Sequence, residues 1–541
     1  MAGGAIANVG GNAHLAHLVD PKRTWYNNRR LIYLHLWILL LLITSSTNGF
    51  DNSLMNSFQS MPQWEKYFGT PTGGKLGILN AIQNIGSLAG YPFAPYLSDG
   101  LGRRTTIWIG ATIMLVGVGI QTASYNLNMF IGARFCVGFG LTFAANAAPM
   151  LVTEISYPTY RAPVTSLYNS LWYTGNIIAS WVSYGTESIP GSWSWRIPSL
   201  LQGLPSAFQF FLVLLAPESP RWLMSKGKEA QALQTLAYYH ANGDEQDPLV
   251  VYEFEEIKAA INLDRDNAVN VGWKALVKTP GNRKRMMLIV AIAWFSQWSG
   301  NGLVSFYLNK VFDTIGITDS TTQLLITGIL AIWNLCWAVF ASFLVDSAGR
   351  RTLFLISCAG MVVFFTGQTI CSAEYALHGT AAAGHAVIAF IFLFYAAYDI
   401  AFTPLIVSYT VEILPFSIRA KGFNVFNFVV SLALIFNQYV NPIALQSIEW
   451  KYYIFYCCWL FFQLVFCYLF IVETKNRTLE ETAALFDGED LSARVIAGGE
   501  TAADEVRHDE HDDAPGKLSI LSERPTLVHD SSSSSDEKAS A

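Results

Sequence analysis

Charge is what this chain most lacks. Asp, Glu, Lys and Arg make up 14% of its 541 residues, where soluble domains carry roughly 25%. With 52% hydrophobic residues and a mean hydropathy of +0.32, that shortage excludes an ordinary water-soluble globule. Basic patches large enough to track phosphates are missing and the net charge is −6, so no nucleic-acid partner is expected. Cysteine is sparse too. Cys136, Cys336, Cys358, Cys371, Cys457, Cys458 and Cys467 lie in or at the ends of apolar runs, with no Cys-x-x-Cys pair. They read as reduced apolar filler, not as a disulfide framework. The nine histidines are scattered and show no metal-ligand spacing. Neither a nucleophile elbow nor a phosphate-binding loop is present. No metal, no cofactor and no enzymatic activity are therefore expected. Residues 1–30 lack an apolar core and a cleavage site, so they read as a cytosolic arm and not as a signal peptide.

What the chain does have is apolar runs of about 20 residues, enough to cross a bilayer. Six lie at 31–52, 76–97, 105–124, 129–151, 163–184 and 197–216, and six more at 286–309, 322–345, 352–372, 385–411, 422–443 and 452–472. The expected fold is an all-α membrane protein with twelve transmembrane helices, one half spanning 31–216 and the other 286–472. A polar loop, 217–285, lies between them, with short amphipathic helices expected at 229–240 and 252–261. Alternate loops carry Arg103-Arg104, Arg161, the cations from Arg221 to Arg285, Arg350-Arg351, Arg419 and Lys475, while the opposite loops hold only isolated cations. The asymmetry places both termini and the central loop in the cytosol. The tail, 473–541, has no aromatic residue after Phe486 and ends in a Ser/Asp-rich run, so it is expected to be mostly disordered. It is either a plain solvated tail or a target for a regulatory kinase or the ubiquitin machinery.

The chain also repeats itself. Asp99-Gly-Leu-Gly-Arg103-Arg104 recurs as Asp346-Ser-Ala-Gly-Arg350-Arg351, Glu154…Arg161 as Glu412…Arg419, and Glu218 with Arg221 is echoed by Glu473 with Lys475. Three motifs in one order, each about 250 residues from its copy, indicate a duplicated six-helix unit in parallel orientation. Acids and arginines at helix ends form a natural cytosolic gate that pairs across the two halves when the inner face shuts. Plain positive-inside anchoring explains the arginines but not the acids at fixed spacing.

These residues resemble the sugar porters of the major facilitator superfamily. The matching stretches are Gly49-Phe50-Asp51, the two Asp…Gly-Arg-Arg motifs, Arg134…Gly138-Phe-Gly140, Glu154…Arg161, Pro217-Glu218-Ser219-Pro220-Arg221-Trp222, Glu412…Arg419 and Glu473-Thr474-Lys475. Asn169 in Leu167–Gly175, and Ser296-Gln297-Trp298-Ser299-Gly300-Asn301-Gly302, are closer to the fungal lactose permease and cellodextrin transporter branch. Hexose carriers usually have Gln in place of Asn169 and read Gln-Gln-x-x-Gly-x-Asn in the second stretch. The resemblance implies a plasma-membrane sugar carrier working by alternating access, expected as a monomer. It favours a β-linked disaccharide, of the lactose or cellobiose type, as substrate. A facilitator without proton coupling and a transporter-like sugar sensor signalling through its tail are the alternatives.

A sugar site needs amides and hydroxyls for hydrogen bonds and aromatic faces for stacking. Amides within spans are costly facing lipid and are expected to face inward. The candidates are Asn169, Gln297, Asn301, Asn334 and Asn427, with Trp172 for stacking. Asn334 and Gln297 match sugar-contacting positions of the family. Val407 stands where the family usually has a Trp, so Tyr409 is a candidate to take over. Asp399 lies about fourteen residues into its run, roughly 21 Å deep, and is expected either to bind substrate or to link helices. Interhelical glue is the alternative role for all the amides.

Asp51 ends the first apolar run. A carboxylate inside the bilayer costs about 2.5–3.5 kcal/mol on insertion scales. Arg134 follows the turn at Asn126–Asn128 by about six residues, roughly 10 Å along its helix, at a depth similar to that of Asp51. The family's proton-coupled members pair the matching Asp and Arg, which implies Asp51 as proton carrier and Arg134 as its partner. A helix-end Asp at the membrane surface is the simpler reading.

Overall fold

The computed structural model describes residues 26–268, 273–414, 416–475 and 485–486. The side chains of Asn169, Asp346 and Arg419 lie outside what it describes, as do residues 1–25 and most of the tail. Among the described residues every regular element is helical. Nine helical stretches among the described residues are long and apolar enough to cross a membrane.

The first half begins with Arg29–Gln59, whose N-terminal amides are capped by the side chain of Asn28. Gly73–Gly90 follows and breaks at Tyr91-Pro92-Phe93 before resuming as Ala94–Leu101, because proline cannot extend a helix through its own nitrogen. Arg103–Ala123, Leu127–Ile155 and Pro158–Glu187 run on as long single helices, and Trp193–Leu201 with Leu204–Leu212 completes the half. Pro280–Gln297 with Asn301–Thr314 opens the second half. Ser320–Ala348, Arg350–His378, Ala381–Ala401 with Leu405–Glu412, Phe416–Ile448 and Tyr452–Phe470 complete it. The segment between the halves carries Pro220–Ser225, Glu229–His240 and Pro248–Ala268.

The burial pattern is inverted relative to a soluble protein. Phe211, Leu215, Val363, Ile370 and Phe461 point outward, while Asp51, Gln121, Arg134, Gln202, Asp399 and Asn437 are buried. Apolar side chains on the outside and amides on the inside suit a bundle whose solvent is hydrocarbon.

Side-chain bonds cross between the halves at the end that carries the Pro62–Phe68 helix. Gln59 Nε2 donates to the Phe306 carbonyl at 2.9 Å and Asn309 Nδ2 to the Gln59 carbonyl at 2.8 Å. The Leu308 amide donates to Asn56 Oδ1 at 3.0 Å, Asn84 Nδ2 to Gln438 Oε1 at 2.7 Å, and Lys310 pairs with Glu65 at 3.2 Å. These bonds draw the two halves together at the end opposite the arginine motifs.

Candidate functional site

Asp51 sits on the inner face of the first helix with no exposed surface, and Arg134 faces it from Leu127–Ile155, also buried. Burial at that end comes from packed rings. Phe58, Trp64, Phe68, Phe130 and Trp195 lie with neighbouring centroids 5.1–6.4 Å apart, over the turn where Arg134 follows Phe130. Both Asp51 oxygens lack a hydrogen-bond partner. Arg134 sends Nε to the Leu79 carbonyl at 3.1 Å and Nη2 to Gln83 Oε1 at 2.6 Å, leaving Nη1 without a partner. The two charges influence one another through space without forming a direct ion pair. Gln202 is a third neighbour. Its Oε1 accepts from Gln121 at 3.0 Å, and its Nε2 is a buried donor without a partner beside the carboxylate. Gln202 is absent from the sequence-based candidates: it too is an amide within an apolar run, but it matches none of the motifs that single out Gln297 and Asn334.

A hydrogen-bonded link also crosses between the halves. Asp399 Oδ1 accepts from Tyr173 in the first half at 2.8 Å and from Thr403 at 2.7 Å. Its Oδ2 is buried without a partner, as is Oδ1 of Asn334. Gln297 is half-buried and donates only to Ser296 Oγ, at 3.1 Å. Trp172 is half-buried, edge-on to Tyr173 at 5.2 Å between centroids. These groups supply acceptors, an amide and an aromatic face, which is the chemistry a polyhydroxylated ligand requires. Tyr173, absent from the sequence-based set, is the link across the halves.

Three other candidates stand differently. Asn301 is tied up: Nδ2 donates to the Ser296 carbonyl at 3.1 Å and to the Tyr398 hydroxyl at 3.2 Å. Asn427 is half-buried, and its carbonyl accepts from Ser431. Tyr409 departs from the expectation that it lines a sugar site. It is wholly buried near the arginine motifs, and its hydroxyl both donates to the Val472 carbonyl and accepts the Val472 amide, at 3.0 and 3.1 Å. A helix broken at Phe402–Pro404 turns that ring into the core. Asn169 lies outside the described side chains.

At the other end the motif charges form two matched clusters. Arg103 grips Glu154 with Nε and Nη2 at 3.1 and 3.3 Å and reaches Asp99 at 3.2 Å. Its backbone amide donates to Glu218, whose other oxygen lies 3.7 Å from Arg104 Nε. In the second half Arg350 holds Glu412 at 3.0 Å, and the amides of Arg350 and Arg351 donate to Glu473 at 2.8 and 3.0 Å. Each arginine helix is thus capped by a carboxylate arriving from the end of the last span of its own half. Gly102 and Gly349 make room for it: both have positive φ, 104° and 86°, and a β-carbon on either would collide with that carboxylate.

The described pairs therefore close within each half, where the sequence suggested pairing across them. Burial pushes the Glu218 carboxyl above its ordinary value against its N–H and arginine partners. At Glu473 burial acts the same way but is outweighed by four backbone amides, which hold the carboxyl below its ordinary value. Arg161 pairs with Glu253 at 3.3 Å, and Glu253 also meets His240 Nδ1 at 2.6 Å, fastening the central segment under the first half. Arg221 lines a cavity of about 380 Å³ with Asp99, Arg103, Trp222 and Lys226.

The profile of the family described as "Sugar (and other) transporter" matches residues 37–486. The chain belongs to that family. Its members are transporters, not enzymes, and this is a multi-pass membrane protein of the sugar porter type. Among curated proteins it is 28% identical over 490 residues to the high-affinity glucose transporter of Kluyveromyces lactis, covering 86% of this chain and 87% of that one. It is 28% identical to the MFS-type transporter oryC of Aspergillus oryzae, covering 83% and 85%, and 28% identical to the quinate permease of Neurospora africana, covering 81% and 86%. Among solved structures it matches the inward open conformation of the xylose transporter XylE from E. coli with a TM-score of 0.70 at 23% identity, over 84% of this chain and all of that one. It matches the proton:xylose symporter XylE bound to 6-bromo-6-deoxy-D-glucose with a TM-score of 0.64. The fold is the all-helical one of the major facilitator superfamily.

Proposed function

We propose that this sugar porter is a proton-coupled importer of the plasma membrane, with twelve spans and cytosolic termini, and that Asp51 carries the proton. The observation that carries the reading is the buried Asp51 carboxylate, which has no hydrogen bond and has Arg134 for a neighbour. A carboxylate beside a guanidinium keeps its charge, and a carboxyl parted from it takes a proton. Both groups lie in the first half, so a rearrangement within that half that parts them as the two halves rock lets protonation and sugar binding bias one conformational equilibrium. Tyr173, Gln297, Asn334 and Asp399, with Trp172, form the sugar site between the halves. With the arginine motifs assigned to the cytosol, the bonds at Gln59, Asn309 and Lys310 close the outer end.

The cargo we propose is a β-linked disaccharide of the lactose or cellobiose type, supported by Asn169 and by the altered Gln297–Gly302 stretch. A hexose is the second reading, favoured by the likeness to the Kluyveromyces lactis glucose transporter. Uptake of labelled lactose, cellobiose, glucose and xylose in a host without its own carriers decides between them. The same assay at two external pH values, with and without a protonophore, tests coupling. Uptake that never exceeds the external concentration and ignores pH would leave a facilitator in place of a symporter.

A further inference from the structure

The helix that carries Gln297 ends there, and the chain passes through Trp298-Ser299-Gly300 before a new helix starts at Asn301. Gly300 has φ 89°, so the regular helical ladder is broken at this point. Backbone carbonyls at such a break lose their helical donors and need others. The Ser296 carbonyl takes Asn301 Nδ2 and the Tyr398 hydroxyl. The Gln297 carbonyl takes a donor from further away, Nδ2 of Asn437 on Phe416–Ile448. Asn437 is itself held, because Asn441 Nδ2 donates to its Oδ1 while the hydroxyls of Tyr452 and Tyr456 hold Asn441 Oδ1 at 3.0 and 2.9 Å. Two tyrosines and two asparagines thus form one relay that ends on the backbone of Gln297.

The relay reaches that carbonyl only because residue 302 is glycine. A β-carbon on Gly302 would occupy the place of the Asn437 carboxamide, colliding with its Cγ, Oδ1 and Nδ2. Gly302 and Asn437 are complementary in volume across two helices. Position 302 is also where the family motif quoted above ends in Asn. The amide absent at position 302 is present on the neighbouring helix, lodged in the space the missing side chain leaves.

We propose that Asn437 is the positioning residue of the sugar site, holding Gln297 through its carbonyl, and that Gly302 and Asn437 are a matched pair in which one helix supplies the amide that the other has given up. The proposal rests on the transport reading for its effect on sugar, but the pairing itself is independent of it. Three variants test it: Gly302→Asn, Asn437→Gly and the double exchange. Purified proteins are compared by melting midpoint, and uptake of cellobiose and glucose is resolved into KM and maximal rate.

Gly302→Asn alone overpacks the break and is expected to lower the midpoint and cut uptake by about tenfold or more. Asn437→Gly releases Gln297 and is expected to raise KM about tenfold, the scale of one buried hydrogen bond, with the maximal rate within about twofold. The double exchange is expected to recover the midpoint lost in Gly302→Asn, to bring KM back, and to change the preference between the two sugars. The pairing is overturned if Gly302→Asn melts and transports like the parent, or if the double exchange melts as low as Gly302→Asn. The positioning role is overturned if Asn437→Gly lowers the maximal rate and leaves KM alone. If the parent takes up none of lactose, cellobiose, glucose and xylose, the transport reading fails and the midpoints still decide the pairing.

Discussion

Arg134 keeps its guanidinium on the Leu79 carbonyl and on Gln83, and leaves Asp51, which is buried just as fully, without a hydrogen bond. A buried charge that is neither paired nor hydrogen-bonded is costly. The arrangement therefore suits a group that changes its protonation state during a working cycle better than a static ion pair.

Asp51→Asn keeps the shape of the side chain and removes the titrating group. The variant is expected to lose uphill accumulation and to keep sugar exchange between equal concentrations. Concentrative uptake that still collapses with a protonophore would sink the assignment.

The bond from Tyr173 to Asp399 crosses between the two halves. Tyr173→Phe removes one donor from a buried acid while keeping the ring. Hydrogen bonds to charged groups contribute about 1.5–3 kcal/mol, so uptake at low sugar concentration is expected to fall about tenfold or more. Asp399→Asn is expected to fall further, as it alters the acceptor for both Tyr173 and Thr403. Uptake by Tyr173→Phe equal to the parent would show that the link does not matter to transport.

Glu473 and Glu218 are shifted in opposite directions. Glu473 lies below the ordinary glutamate value of 4.5. Its ionised form therefore adds stability above that value, and the contribution is lost as pH falls through the folded-state value. Glu218 lies above 4.5, so its contribution is present below that value and is lost as pH rises through the folded-state value. Glu473→Gln is expected to lower the melting midpoint at neutral pH and to have little effect at a pH below the folded-state value. A loss of equal size at both pH values would remove the titration argument.

Lys310 and Glu65 join the halves at the end opposite the arginines, both partly exposed. Such a pair contributes about 0–1 kcal/mol, so Glu65→Gln is expected to leave stability nearly unchanged. Cysteines at the two positions, joined by a short bifunctional maleimide, are expected to stop uptake because the halves can no longer part there. Full uptake after complete cross-linking would argue against rocking about this contact.

Much of the architecture is legible in the linear sequence because hydrocarbon solvent imposes long uninterrupted apolar runs. The repeated Asp…Gly-Arg-Arg motifs are legible for a related reason: each must start a helix at a membrane edge with a carboxylate at hand. The candidate sugar site is harder to read. Gln297 and Asn334 stand out as amides within apolar runs, but Tyr409 has the same appearance of a polar aromatic in a span and turns into the core to bond Val472. Gln202 and Tyr173 have no motif, and their part in the site depends on which helices pack beside theirs.

By itself, then, the sequence determined that this chain belongs in a membrane, that it is built from two similar halves, and that Asp51 and Arg134 occupy similar depths. Periodicity, charge asymmetry and helical rise are local quantities, so they survive in one dimension. Only the tertiary structure decided that the described pairs of the arginine motifs close within each half, that Arg134 bonds Gln83 and not Asp51, and that Asn437 fills the space beside Gly302. Those outcomes depend on distances between helices whose contacting residues lie 51 to 140 positions apart in the chain, which helix packing sets and no spacing along the chain records.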